Sequence, residues 1–338
     1  MLRIAINGYG RIGRAVVRAL FERGLQDQIQ VVAINDLSDH QTLVHLTRFD
    51  STFGRFPEPV ELQGESMVVR GQAIRLLAER EATKLPWKEL GVDVVLECTG
   101  KFKKREQIEQ HLQAGAARVF ASHPLDSADL TVVYGVNHQL LSDQQVISNA
   151  SCTTNCLAPL AKVLHETVGI RQGLLNTVHS YTNDQNLLDK AHSDLYRARA
   201  AALSMIPSTT GAAKAIGLVL PELSGRLDGL SVRVPTPNVS LVDLTFVAER
   251  APDSVEAINQ ILREGAQKMP AGVMECNEEA LVSCDFNGYP ASCVADLSQT
   301  RVQGELVKVM AWYDNEWGFS NRMLDVLLHW GDGKARAA

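Results

Sequence analysis

The apolar run Leu2–Asn7 feeds directly into Gly8-Tyr9-Gly10-Arg11-Ile12-Gly13, and the stretch behind it carries Val16, Val17, Leu20 and Phe21 on one side. Few folds accept a strand, a three-glycine turn and an amphipathic helix in immediate succession. The first glycine makes the tight turn, the second lets a ligand approach the backbone, and the third lets the helix pack close to the sheet. At the start of that helix the amide protons lack intrahelical partners, so they are placed to receive a pyrophosphate. A second apolar strand, Ile29–Ile34, stops at Asn35-Asp36, roughly twenty residues past the turn, where a carboxylate accepts the hydroxyls of a ribose. A 2′-phosphate would meet the charge of Asp36, which favours NAD over NADP. Capping of the following turn is the alternative use of this residue.

The alternation continues along the chain. Leu43–Phe49 reads as helix, and Met67–Arg70 and Ala73–Leu77 flank Gly71-Gln72 as an antiparallel hairpin. Val92–Cys98 is a buried strand ending at Thr99-Gly100, Arg105–Ala114 a helix, and Arg118–Ala121 and Leu130–Tyr134 further strands. This is an α/β pattern with a parallel sheet, a Rossmann-type dinucleotide-binding domain over residues 1–151. Its expected cofactor contacts are Gly8, Gly10, Arg11, Ile12, Gly13, Asp36, Thr99 and Ser122.

From Cys152 the rhythm changes. A helix runs to about Val168. Long alternating strands then follow at Leu174–His179, Gly229–Val234, Ser240–Val247, Leu281–Asp285, Ser292–Asp296 and Leu306–Tyr313. A polar loop over 181–203 and helices at Gly211–Leu220 and Ser254–Ala266 separate them. The expectation for 152–317 is a second domain of α+β type, mixed and largely antiparallel. Gly318–His329 reads as a last helix with Met323, Leu324, Val326 and Leu327 on its apolar side, and Gly331–Ala335 as a frayed end.

Two domains suit a chain of 338 residues, longer than one typical core. With 33 basic against 39 acidic residues, the net charge of −6 argues against broad nucleic-acid or anionic-membrane binding, while leaving room for a local basic pocket. The chain opens in a strand, without a basic and apolar leader, and holds no apolar run long enough to span a bilayer. Its six cysteines form no CxxC pair and no disulfide ladder, so a reducing cytoplasm is expected and a metal is not.

The chemistry centres on Ser151-Cys152-Thr153-Thr154-Asn155-Cys156 and on His179. Cys152 falls at the start of a helix, which stabilises a thiolate, and a neighbouring imidazolium would lower its pKa further. A buried core cysteine is the bland alternative, but the polar residues around Cys152 are wrong for a core. His179 closes a strand, where a fixed imidazole can activate the sulfur and later return a proton to an alkoxide. A dinucleotide together with a nucleophilic thiol makes sense when the substrate is an aldehyde. Addition of the thiolate turns the carbonyl into a thiohemiacetal that has a hydride to lose. Three polar clusters are candidate oxyanion sites: Thr209-Thr210-Gly211 ahead of a helix, Thr182 just past the histidine, and Arg233 on a strand. Each alone is more often a cap or a surface charge, but two separate anion positions around one thiol are hard to explain as chance.

These residues resemble the phosphorylating glyceraldehyde-3-phosphate dehydrogenase family through nearly the whole chain. The likeness is carried by Ala5–Arg14, by Ser148-Asn149-Ala150-Ser151-Cys152-Thr153-Thr154-Asn155, and by Ala311-Trp312-Tyr313-Asp314-Asn315-Glu316-Trp317-Gly318. The resemblance implies Cys152 as nucleophile and His179 as base. It places the substrate's phosphate on Thr182 and Arg233 with Arg197 or Arg199, and inorganic phosphate on Ser151, Thr153, Thr210 and Gly211. Asn315 would fix the nicotinamide carboxamide. It also implies a homotetramer in which the loop from Tyr181 to about Leu203 lies near a neighbour's cofactor, and a final segment, 318–338, that packs back on the first domain. The implied reaction is NAD-dependent oxidation of D-glyceraldehyde 3-phosphate, with inorganic phosphate, to 1,3-bisphosphoglycerate.

The related erythrose-4-phosphate dehydrogenases, which hydrolyse the thioester, share the same sulfur and imidazole. Ser122-His123-Pro124, Gln299–Val302 and Phe319–Asp325 resemble that branch, whereas His179–Gln185 and Ser208–Lys214 resemble the glycolytic one. Lys190-Ala191 stands where many NAD-specific members carry Leu-Pro, a departure that would admit a 2′-phosphate. The alternative of another class is a non-catalytic protein that binds the cofactor or a partner.

Overall fold

β1 (Leu2–Asn7) is the middle of a doubly wound sheet because its residues from Ile4 inward are fully buried on both faces. The computed structural model describes residues 1–336. After α1 (Arg11–Glu22) the chain returns to β2 (Ile29–Asn35), parallel to β1 on one side. α2 (His40–Arg48) leads to a short pair, β3 (Phe49–Asp50) and β4 (Gly54–Arg55). A meander follows, β5 (Val60–Gln63), β6 (Ser66–Val69) and β7 (Gln72–Leu77), of which β7 runs parallel beside β2. The chain then crosses to β8 (Val94–Glu97) on the other side of β1. α3 (Arg105–Gln113), β9 (Arg118–Ala121), β10 (Leu130–Thr131) and β11 (Val146–Ser148) complete the order β10-β11-β9-β8-β1-β2-β7-β6-β5. The reversal of winding at β1 opens a crevice at the carboxyl ends of β1, β2 and β8, where open α/β sheets bind ligands. Trp87, Val95, Ile108 and Val119 are fully buried in the core of this unit.

The second unit is built on α4 (Cys152–Thr167) and β12 (Ile170–Ser180). β13 (Ile206–Thr209), α5 (Ala212–Val219), β14 (Leu227–Val234), β15 (Ser240–Ala248) and α6 (Val255–Lys268) follow. Next come β16 (Met274–Asn277), β17 (Cys293–Asp296), β18 (Arg301–Gln303) and β19 (Leu306–Tyr313). The sheet runs β13-β14-β12-β15-β19-β17-β16, with β18 on β19. Most pairs are antiparallel, but β12 runs parallel to β14, which aligns His179 with Arg233 across the ladder.

Chain contacts group Met1–Val132, His138–Ala150 and the chain from Ser320 onward in the first unit, and Val133–Asn137 with Ser151–Phe319 in the second. α7 (Trp317–Arg336) therefore sits mostly with the first unit, where Arg23 reaches Asp325 at 2.6 Å and Arg118 donates to the Trp330 carbonyl at 2.9 Å. Its backbone stays helical through Gly331–Ala335, which was expected to fray. Residues 337–338 of the expected C-terminal segment lie outside the described residues.

Two sequence expectations change, and one strand was not expected. The strand expected at Leu130–Tyr134 ends at Thr131, and Val133–Asn137 forms a turn closed by Val133 N–H on Asn137 Oδ1 at 2.8 Å. The strand expected at Leu281–Asp285 is instead a single tight turn, Ser283–Phe286, because Asp285 accepts from Val282 N at 2.8 Å, which offers the backbone an alternative to a ladder. Part of the stretch between the polar loop and α5 is β13, an edge strand that hides its nature behind Pro207, a residue that edge strands tolerate. Among the described residues no helix is long and apolar enough to cross a membrane.

Candidate active site

In the first unit the glycine turn opens a cleft of about 510 Å³ lined by Gly8, Gly10, Asp36, Thr99 and Phe102, among others. Gly8 has φ +90°, and a Cβ there would lie 2.6 Å from Thr99 N. A Cβ on Gly13 would fall 2.5 Å from the Gly8 carbonyl oxygen, so this glycine is what lets α1 sit on the turn. Nothing stands within 4 Å of a Cβ built on Gly10, so the cleft is open there. Gly10 lines the cleft and heads α1 without a side-chain cap, so the start of the helix meets the cleft, where a helix terminus suits an anion. Arg11 turns its side chain to Asp50 and over Phe53, so it and Ile12 contribute backbone at this terminus.

Asp36 is held by Tyr9 N at 2.8 Å and Ser38 N at 2.9 Å. Burial pushes its carboxyl up, but the hydrogen bonds from Ser38 and Tyr9 and the Arg14 charge outweigh burial and hold it below the usual range. It is an ionised, oriented acceptor. The residues present thus fit a dinucleotide with an unphosphorylated ribose. Thr99 is anchored by Glu97 Oε1, which accepts its N–H at 2.8 Å. Glu97 is fully buried with Asn7 at 2.6 Å and His111 Nε2 at 3.1 Å, and Trp87 donates to the other ring nitrogen at 3.1 Å. Ser122 lies against the Cys98 thiol, which burial pushes up to about 12, too high to be a nucleophile at neutral pH.

In the second unit Ser151 caps α4 by accepting Thr154 N at 3.1 Å, which puts Cys152 at its first position. Cys152 Sγ lies 3.5 Å from His179 Nε2. The expected imidazolium is not what this geometry favours. Burial, and then the Arg233 charge, push the imidazole down to about 3, and burial raises the Cys152 thiol despite Arg233 and Thr153. Burial thus works against charge on both members, and the short contact places the thiol and the imidazole as a candidate nucleophile and base. At the far side of the ring, Nδ1 lies 2.7 Å from the Ser180 carbonyl and 2.9 Å from Arg233 Nη1.

The anion-site candidates separate into those that converge and those that do not. Arg233 reaches the imidazole, and its buried Nε finds no protein partner. Thr182 follows in the turn closed by Gln185 N–H on the Thr182 carbonyl at 3.0 Å. Arg197 donates to Ser208 Oγ at 2.6 Å and pairs with Asp184, and its charge is felt by both Arg233 and His179. Arg199 is turned outward onto Asp189 at 3.0 Å, with most of its side chain in solvent. Ser151 and Thr210 each sit at a helix start, and Gly211 precedes α5, which packs on α4. The Thr153 hydroxyl instead points inward to Tyr313 OH at 2.8 Å, which leaves its backbone N–H as the group for an anion. Among the described residues no cluster of three His, Cys, Asp or Glu could hold a metal.

Sequence reading named Asn315 but missed Tyr313, Ser240 and Asp314 among the supports of this site. Tyr313, at the end of β19, bonds both Thr153 and Thr177 hydroxyls and meets the His179 ring edge-on at 6.1 Å. Asn315 Oδ1 accepts from Ser180 at 2.9 Å and Ser240 at 3.1 Å, which turns the Nδ2 end of the amide toward other partners. Beside Ser240, buried Val239 takes φ 68°, strain of order 1–3 kcal/mol for a β-branched residue. Asp314 is pushed up to about 6 by burial, against donors at Gly288, Glu316, Trp317 and Asn238. The adjacency of Tyr313 and Asn315 at a strand end was the available signal.

Comparison with known proteins agrees along nearly the whole chain. Residues 2–105 match the glyceraldehyde 3-phosphate dehydrogenase NAD binding domain, and residues 151–315 match the C-terminal domain of the same family. The chromosomal glyceraldehyde-3-phosphate dehydrogenase of Cupriavidus necator is 58% identical over 326 residues, covering 96% of this chain and 97% of that protein. The enzymes of that name from Xanthobacter flavus and Pseudomonas aeruginosa are each 57% identical, covering 98% and 97% of this chain and the same shares of their own.

Proposed function

The chain belongs to the glyceraldehyde-3-phosphate dehydrogenase family, and from that premise we propose that it oxidises D-glyceraldehyde 3-phosphate, with NAD and inorganic phosphate, to 1,3-bisphosphoglycerate. The observation that carries the reading is Cys152 at the head of α4 with His179 Nε2 3.5 Å from its sulfur and a guanidinium behind the ring. Residues 1–151 bind the cofactor through Gly8, Gly10, Arg11, Ile12, Gly13, Asp36, Thr99 and Ser122, and residues 152–317 carry the chemistry.

The sulfur attacks the aldehyde carbon as Nε2 takes its proton. The resulting alkoxide is stabilised by Nε2–H and by the Cys152 amide. NAD, when bound, supplies the hydride acceptor, and Asn315 holds its carboxamide. What remains on Cys152 is a thioester. Thr182, Arg197 and Arg233 hold the phosphate the substrate brings. Ser151, the Thr153 amide, Thr210 and Gly211 hold the phosphate that attacks the thioester, and Cys152 leaves as a thiolate.

The loop after β12 exposes Leu187, Leu188, Leu195, Leu203 and Met205, each 71–82% accessible. Such an apolar stretch suits burial against a second copy, and a cytoplasmic homotetramer is the assembly proposed. Sedimentation of a monomer at micromolar concentration overturns that part.

The enzymatic test is the acceptor. NADH release from glyceraldehyde 3-phosphate should require added inorganic phosphate, saturate with it, and yield an acyl phosphate. Phosphate-independent turnover favouring erythrose 4-phosphate and releasing a carboxylate replaces phosphorolysis by hydrolysis. NAD binding with no burst of NADH from either aldehyde leaves only a cofactor-binding protein.

A further inference from the structure

We propose that Ser180 and Ser240 are positioning residues for the cofactor: together they occupy the acceptor end of Asn315, so that only its donor end can meet a nicotinamide carboxamide. The inference rests on the reading of Asn315 as the holder of that carboxamide.

Three strand ends supply the parts. β15 lies between β12 and β19, and its first residue, Ser240, stands opposite Tyr313 in the ladder. Ser180 closes β12 on one side of it, and Asn315 follows just past β19 on the other. Ser180 and Ser240 are shut off from solvent, at 0% and 1% exposure, while Asn315 keeps 6%. Both sides of the contact are pinned. Asp314 accepts from Glu316 N, Trp317 N, Gly288 N and Asn238 Nδ2 at 2.7–2.9 Å, which fixes the turn that carries Asn315. Asn238 and Ser240 flank Val239 with its φ of 68°, so the strained residue joins a tether on Asp314 to one on Asn315.

Counting protons sets the direction of the amide. Ser180 Oγ lies 2.9 Å and Ser240 Oγ 3.1 Å from Asn315 Oδ1, and Ser180 N–H donates to Ser240 Oγ at 3.1 Å. With Oδ1 toward the serines, the two hydroxyl protons fill its two lone pairs, and the peptide N–H fills one on Ser240. Every donor is used. With Nδ2 there instead, its protons go to the hydroxyl oxygens and displace both hydroxyl protons. Among the described residues the acceptor still in reach of either is the other hydroxyl, 3.4 Å away, which takes one of the two at most. The second would be a buried donor without an acceptor, a handicap of roughly 5- to 150-fold. The serines therefore hold Oδ1, and Nδ2, which meets no acceptor among the described residues, is left as a pure donor. A carboxamide carries a carbonyl oxygen that accepts and an amino group that donates. A donor-only partner reads the first and rejects the second. Ser180 and Ser240 act on the cofactor only through Asn315.

The test is calorimetric titration of the full-length protein with two NAD analogues, at about pH 8 so that any introduced carboxyl is ionised. The 3-acetylpyridine dinucleotide keeps the carbonyl and lacks the amino group. The 3-aminopyridine dinucleotide keeps an amino group and lacks the carbonyl. Wild type should bind the acetyl analogue roughly tenfold tighter or more, the worth of a made bond against an unpaired donor. Ser180→Ala/Ser240→Ala should bring the two within about threefold. Ser180→Ala alone, which strands no peptide N–H, should narrow the gap part of the way, and it decides the matter if the double variant does not fold. Asn315→Asp presents an acceptor in place of Nδ2 and should reverse the preference. Wild-type protein that favours the amino analogue, or folded serine variants that keep the full gap, overturns the lock. An Asn315→Asp protein with the wild-type gap takes Asn315 off the carboxamide, and the inference falls with that reading.

Discussion

Alanine at Gly8 and at Gly10 should separate what the glycine turn does for the fold from what it does for the cofactor. At Gly8 an alanine would adopt φ +90°, with its Cβ 2.6 Å from Thr99 N and 2.8 Å from both Cys98 C and Thr99 Cα. All three are backbone atoms. They cannot yield cheaply, because Thr99 N and its hydroxyl are tied to Glu97, whose other oxygen is held by Asn7 and His111 in the core. Left-handed backbone costs an alanine about 1–2 kcal/mol, and forced overpacking adds about 1–3 kcal/mol. The Gly8→Ala protein should therefore lose about 2–5 kcal/mol of stability in the first unit even without cofactor.

At Gly10 the backbone is ordinary, φ −75°, and the added methyl meets no protein atom within 4 Å. Stability should change by under about 1 kcal/mol, the scale of an N-cap exchange. The methyl points into the space that the pyrophosphate needs, and a steric penalty of about 1–3 kcal/mol weakens NAD roughly 5- to 150-fold. Thermal unfolding of the cofactor-free proteins and calorimetric NAD titration measure the two quantities independently. Equal stability loss in both variants, or a Gly8→Ala protein as stable as wild type, would refute the assignment of Gly8 to the fold and Gly10 to the ligand.

Replacing His179 with Gln should lower single-turnover NADH formation by roughly 10²–10⁴, the usual worth of a general acid–base group, and an unchanged rate removes it from that role. Tyr313→Phe leaves the Thr153 and Thr177 hydroxyls each short of a buried partner, so unfolding free energy should fall by about 1–3 kcal/mol; a loss confined to a few tenths shows that water or the hydroxyls themselves take up the bonds. The pH dependence of Cys152 alkylation follows from the two shifts. With the thiol raised by burial and the imidazole held near about 3, the thiolate fraction of the ligand-free protein grows as pH rises into the alkaline range. Iodoacetamide should therefore label Cys152 progressively faster above neutrality, with no inflection between about pH 5 and 7; a plateau reached in that interval indicates an ion pair instead.

The β1–α1 turn, β2 ending at Asp36, and the helix headed by Cys152 were legible because each rests on local rules. A glycine needs only its neighbours to permit a turn, a period of 3.6 or 2 needs only a stretch of chain, and Ser151 caps α4 from within its own turn. The strand hidden by Pro207 and the turn at Ser283–Phe286 escaped because an edge position and a side chain bonding its own backbone overrode composition.

The chain alone determined its two-part architecture, the candidate nucleophile and base, and the glycine cradle. Only the tertiary structure decided which cationic side chain meets the imidazole, that Arg199 faces solvent while Arg233 lies on Nδ1, that Thr153 turns to Tyr313, and that burial pushes the Cys152 thiol up and the His179 imidazole down. These depend on the parallel register of β12 and β14 and on burial, and both are set by contacts between residues far apart in the chain, which no local pattern encodes.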